Sequence, residues 1–174
     1  MARSQSGLDA QLTEQPDYVR LFRELLPPTA RLLETATSFA PMLWVLGVDG
    51  TLRQLAVDSA LGPGDAPDDR DLVAAAAREA IKGTIVAAVI VSHIRYYGIA
   101  PDRFAGEPDP GHVAAGEAIC LDIDHCDSGP ISLYHGFMGA GGDLKFADTI
   151  MSRPARAFAF GAATSPEASV TQPE

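Results

Sequence analysis

Between Pro16 and Ser38, apolar residues fall at helical spacing in two blocks. Tyr18, Leu21, Phe22, Leu25 and Leu26 form the first, and Ala30, Leu33 and Thr37 resume after Pro27-Pro28. Proline removes an amide donor and crowds the preceding turn, so the pair predicts two short helices, the second of which the prolines can start. Met42 to Val48 reads as a strand, Asp49-Gly50 as a tight hairpin turn and Thr51 to Asp58 as the antiparallel partner. Leu61 to Asp69 reads as a loop ending in acidic residues, which suit a helix start because the macrodipole favours negative charge there. Asp71 to Lys82 follows as an alanine-rich helix with Leu72, Val73, Ala76, Ala80 and Ile81 as its packing face and Gly83 as its stop. Thr84 to Ser92, continuously apolar from Ile85 to Val91, predicts a strand at the centre of a sheet covered on both sides.

Ala118 to Phe137 alternates as a β-hairpin. Asp127-Ser128-Gly129 reads as its three-residue loop, with glycine where a left-handed residue follows a type I turn. That register pairs 126 with 130, 123 with 133 and 119 with 137, gathering Ile119, Leu121, Ile123, Ile131, Leu133 and Phe137 on one face with His125 and His135. Cys120, Asp122, Asp124, Cys126, Ser132 and Tyr134 take the other, wetter face, Asp122 opposite Tyr134 and Asp124 opposite Ser132. A two-residue loop at Ser128-Gly129 would instead set Ile131 and Leu133 beside the acids, which neither core nor solvent favours. Ile99 to Gly116, rich in proline and glycine, reads as an excursion or lid-like loop. Gly136 to Gly142 reads as a connection, and Ala155 to Phe160 as the last strand.

These elements predict an α+β fold: a single, mainly antiparallel sheet of five or six strands with one central helix and the N-terminal helices packed on it. Residues 1–15 are expected to be a flexible N-terminus, 16–160 one domain, and Gly161 to Glu174 a disordered tail, since both ends lack apolar periodicity. Met42 to Val48 and Ile85 to Val91 need cover on two sides, and the helix at 71–82 supplies one. The N-terminal helices or a second subunit must supply the other, and a homodimer is expected.

Composition narrows the class. A net charge of −10 over 174 residues lacks the clustered basic surface that phosphate contacts require, so no nucleic acid is expected as partner. The apolar runs are too short to span a bilayer, and the polar start shows no signal segment, so a cytoplasmic protein with no membrane partner is expected. Cys120 and Cys126 are the two cysteines; six residues of strand separate them by roughly 20 Å, which forbids a disulfide and joint ligation of one zinc. No metal and no cofactor are expected.

Candidate chemistry falls in two places. His93-Ile-Arg95-Tyr96-Tyr97 stands where the central strand meets the long loop, so His93, Arg95, Tyr96 and Tyr97 could line a pocket beneath that loop, which carries His112. Asp122 and Asp124 place two carboxylates on one strand face about 7 Å apart, a spacing suited to acid-base work or a divalent cation as well as to exposed strand acids. Gly136 to Lys145 lacks the glycine-lysine-hydroxyl order of a phosphate loop and the dinucleotide spacing.

The layout from Met42 to Phe160 resembles small uncharacterised prokaryotic and phage proteins built as strand, Asp-Gly turn, strand, helix, strand ending in Val-Ser, then hairpin. Val48-Asp49-Gly50-Thr51 and Ile90-Val91-Ser92 carry the resemblance. Where those proteins tend to have an acidic residue after Val-Ser, this chain has His93. The resemblance implies a bacterial setting and no activity, because that family is itself unassigned. Two function classes follow. One is a noncatalytic binding or assembly domain, a homodimer holding a small ligand or protein partner. The other is a small hydrolase or other enzyme using His93 with Asp122, Asp124 or His112, with or without a divalent metal.

Overall fold

In the computed structural model, which describes residues 16–60, 62, 65–98, 114–139, 143–152 and 157–160, the N-terminal stripe forms one helix, α1 (Pro16–Thr35), in place of the two expected. Tyr18, Leu21, Leu25, Thr29 and Leu33 are all buried, so the stripe runs through the proline pair at steps of three and four residues. Pro27 and Pro28 lie on the exposed side, and the carbonyls they leave without amide donors belong to the exposed Arg23 and Glu24. On the buried side the Thr29 hydroxyl donates to the Leu25 carbonyl at 2.7 Å. Packing of one unbroken face outweighs two missing bonds on the wet face.

The first hairpin joins β1 (Met42–Gly47) to β2 (Leu52–Leu55). Its loop is the three residues Val48-Asp49-Gly50, with Gly50 at φ +78° and its amide donating to the Gly47 carbonyl at 2.9 Å. Asp49 Oδ1 accepts the Thr51 amide at 2.9 Å, so the turn is closed by its own residues. β2 stops short of the expected Asp58 because Leu55 already pairs with Leu43, next to the start of β1. Helix α2 (Asp69–Ile81) begins two residues before the expected Asp71. Asp68 caps it, accepting the amides of Arg70 and Asp71 while Asp71 accepts that of Asp68. Gly83, at φ +66°, ends it as expected.

β3 (Ile85–Gly98), β4 (Ala114–His125), β5 (Gly129–Met138) and β6 (Lys145–Ser152) complete one six-stranded sheet of order β2-β1-β3-β4-β5-β6, antiparallel at every neighbour. The chain is thus α+β with a single antiparallel sheet. β3 continues past Ser92 because β4 pairs with it as far as Gly98 opposite Ala114, and Arg95 meets Glu117 across the ladder at 2.9 Å. The expected excursion from Ile99 to Gly116 therefore shortens, and residues 99–113 lie outside the described residues, as do the two expected tails. Gly136 likewise belongs to β5 and not to a connection.

The β4-β5 register differs from expectation by two residues: Ile123 pairs with Ile131, not Leu133, and Leu121 pairs with Leu133. Cys126, Asp127 and Ser128 form the turn, and Gly129, at φ +76°, is already paired opposite His125. The physical reason is the His125 ring, which accepts the Asp127 and Ser128 amides and so places the turn one residue earlier than the glycine alone would. A shift of two preserves face parity, so the expected partition of side chains stands. The last strand is β6 and not 155–160: Ala157 to Phe160 alternates like a strand, yet three successive amides turn to the Asp124 carboxylate instead of a neighbouring ladder.

Helix α1 covers one sheet face, where Leu46, Val89, Val91, Ile119, Leu121, Ile123, Ile131, Leu133 and Phe137 are buried against Tyr18, Leu21 and Leu25. Helix α2 covers the other over β1 and β3, packing Leu72, Ala75 and Ala76 on Leu43, Val45, Ala88 and Ile90. The second cover comes from this chain's own N-terminal helix, so burial of the sheet does not call for a second subunit.

Candidate functional site

Asp124 organises the α2 face beyond the helix. Its Oδ2 accepts the amides of Phe158 at 2.8 Å, Ala159 at 2.8 Å and Phe160 at 3.1 Å, and the residue is 1% exposed. A carboxylate can be buried when charge-assisted bonds of this kind replace its water. Asp124 was expected on a wet face; it is instead the clasp that holds 157–160 over the sheet, with Ala159 buried among Leu43, Val45 and Leu72.

Between this segment and α2 opens a groove of about 900 Å³. Ile90, Ser92, Ile94 and Asp122 form its floor, α2 contributes Asp69, Arg70, Val73, Ala74 and Ala77, and Ala157 and Phe158 close the far side. Pairing puts Ser92 opposite Cys120, Cys120 opposite Tyr134, and Asp122 opposite Ser132, so a polar strip crosses three strands on this face. The Ser132 hydroxyl donates to Asp122 Oδ1. Burial, followed by the charge and hydrogen bond of Asp122, pushes the Cys120 thiol far above its ordinary range, and burial raises the Tyr134 phenol as well. Neither group is ionised near neutral pH, so Cys120 is no thiolate nucleophile. Cys120 and Ser132, expected on the wetter face, are both buried.

The other expected site residues do not converge here. His93 lies on the α1 face, 6% exposed in its side chain, with its ring 6.1 Å from Phe39 and 5.5 Å from Phe137. Its Nε2 has no hydrogen-bond partner among the described residues and sits 3.9 Å from Glu117 Oε2. Arg95 shares that face and pairs with Glu117. Strand parity therefore sets His93 and Arg95 across the sheet from Asp122 and Asp124. Tyr96 and Tyr97 pair with Gly116 and Ala115, and nothing of their side chains is described; His112 lies outside the described residues. Asp122 and Asp124 do share a face, but one lines the groove and the other is committed to backbone amides.

Sequence reasoning missed Arg70, Ala157 and Phe158. Arg70 falls just ahead of the helix expected from Asp71, and the alternation at 155–160 points to a strand, so neither signal reveals that the two elements face each other. The arrangement can bind: it offers the Asp122 carboxylate oriented by Ser132, the Ser92 hydroxyl, apolar walls, and the charged Asp69 and Arg70 from α2. No protein-family model, curated protein or solved structure matches the chain, so the reading of the groove rests on its own geometry.

Proposed function

We propose that this chain is a noncatalytic binding domain whose groove takes a small amphipathic ligand. The ligand's apolar body lies against Val73, Ala77, Ile90, Ile94 and Phe158, and a cationic or hydrogen-bond-donating end meets Asp122. The observation that supports this is the floor carboxylate of Asp122, oriented by Ser132 among Ile90, Ile94, Val73, Ala77 and Phe158, with Asp69 and Arg70 lining the groove from α2. The enzymatic alternative pairs His93 with Asp122, Asp124 or His112; with either aspartate it would need groups from opposite sheet faces to reach one substrate, and His112 lies outside the described residues.

The test is a titration of nitrogen-labelled protein with n-hexylamine, n-hexanol and n-hexanoate, followed by backbone amide shifts. Shifts at Ser92, Asp122 and Phe158, strongest for the amine and weakest for the carboxylate, are expected. Asp122→Asn should erase the preference for the amine, and Ala74→Trp should block all three probes. Shifts confined to other surfaces, or unchanged binding to Ala74→Trp, would overturn the reading. Homodimerisation is a separate proposal, because α1 already covers the second sheet face. A sedimentation equilibrium mass of two chains that persists on dilution would support it, and a single-chain mass would remove it.

A further inference from the structure

The β4-β5 turn carries a second cluster, on the α1 side of the sheet and independent of the groove. A ring nitrogen of His125, the Cys126 sulfur and an Asp127 carboxylate oxygen lie within 4.8 Å of one another. His125 is 6% exposed, and its ring meets that of Tyr18 edge-on at 5.9 Å. Its Nε2 lies 3.0 Å from Asp17 Oδ2, in the first turn of α1. Its Nδ1 accepts the amides of Asp127 at 3.2 Å and Ser128 at 3.3 Å. Two amide donors on Nδ1 fix the tautomer, so the proton sits on Nε2 facing Asp17 and the lone pair on Nδ1 faces the turn. A carboxylate that holds one imidazole nitrogen while the other looks toward a thiol and a second carboxylate is the arrangement found around metal-bound histidines.

We infer that this turn is a binding site for a borderline-soft divalent transition metal such as Zn²⁺, held by His125 Nδ1, the Cys126 sulfur and the Asp127 carboxylate, with water in the fourth tetrahedral position. Metal-ligand bonds of about 2.0–2.3 Å bring tetrahedral ligand atoms within about 3.3–3.8 Å of one another, so the cluster must close slightly. Cys126 and Asp127 are exposed at the turn and can rotate to do so. The two amide bonds given up are longer than the ordinary value of about 2.9–3.0 Å, and solvent can replace them. Binding displaces the Cys126 proton to solvent and leaves the sulfur as thiolate. Asp17 and Asp127 add negative charge that favours a cation. The expectation of no metal considered Cys120 and Cys126 together; this site uses Cys126 alone.

The test uses Co²⁺ titrated into the full chain, kept reduced with a phosphine. One equivalent should produce a thiolate-to-cobalt charge-transfer band with tetrahedral visible bands, and Zn²⁺ should displace it. Cys126→Ser should abolish the charge-transfer band and weaken binding at least tenfold, with an unchanged circular dichroism spectrum showing that the fold is kept. Cys120→Ser should leave the band intact. Asp17→Ala should weaken binding by about 10–100-fold without moving the band, the effect of losing a group that orients the imidazole. The absence of a band in the unsubstituted protein, or its persistence in Cys126→Ser, would overturn the proposal, and undiminished affinity in Asp17→Ala would overturn the orienting role of Asp17.

Discussion

The two faces of the sheet are closed by different physics. Under α1, buried apolar side chains from the helix and four strands pack together, and the helix is held chiefly by area removed from water, which has no direction. Under α2 the same kind of packing covers β1 and β3 and then gives way to Cys120, Asp122, Asp124, Ser132 and Tyr134. There the cover is a short non-strand segment fixed by hydrogen bonds from three amides to one oxygen. Apolar burial decides that a face is covered, whereas the carboxylate decides where the cover sits and therefore where a groove is left.

The largest break in this comparison should come from Leu121→Ala on the α1 face. Removing a wholly buried leucine should cost about 2–5 kcal/mol, read as a lower denaturant midpoint for the entire domain. Asp124→Ala should cost less, about 1–3 kcal/mol, because it strands backbone donors without opening the main core. Its effect should be local. Amide exchange at Phe158, Ala159 and Phe160 should accelerate while α1 and the amides of β3 keep their protection, and binding of n-hexylamine in the groove should weaken. If Asp124→Ala instead loosened α1 as well, the two faces would be one cooperative unit and the contrast would fail.

The smallest effect is a dependence on pH that belongs to the α1 face. Burial lowers the His135 pKa below its ordinary 6.5, with the ring stacked 5.0 Å from Phe146 and Nδ1 2.8 Å from the Thr149 hydroxyl. The unfolded chain then binds a proton at a higher pH than the folded one. Stability should be unaffected above that value and should fall as pH drops below 6.5 toward the lower folded pKa. His135→Phe should flatten the slope of stability against pH in that window, and an unchanged slope would show that His135 is not its source.

Much of the α1 face was legible in the sequence, and much of the α2 face was not. Period-two alternation assigned Ile119, Leu121, Ile123, Ile131 and Leu133 to one side correctly even though the pairing was displaced by two, because parity survives an even shift. The position of the Asp49-Gly50 turn was readable because it is closed by its own residues, although the loop also takes in Val48, which was expected in the strand. The second turn, with the similar signature Asp127-Ser128-Gly129, was misplaced because His125 takes part in closing it and α1 holds His125. Proline suggested a break at residue 27 because local rules do not know that the prolines lie on the wet side of a packed helix. The groove was least legible of all: its far wall is placed by the bonds of Phe158, Ala159 and Phe160 to Asp124, and no local pattern marks Ala157 to Phe160 as partners of that strand.

The Asp124 clasp also bears on the order of folding. Phe158, Ala159 and Phe160 reach back across 34, 35 and 36 positions, over all of β5 and β6, to bond one side chain. Closing a loop of that length gains little until the β4-β5 hairpin has formed and presents the carboxylate, whereas that hairpin forms between residues near in sequence. The groove is therefore a late product of folding, completed after the sheet that floors it. Pulse-labelling hydrogen exchange should find the Leu121 amide protected before those of Phe158 to Phe160; the reverse order would show that the clasp guides the sheet instead of following it.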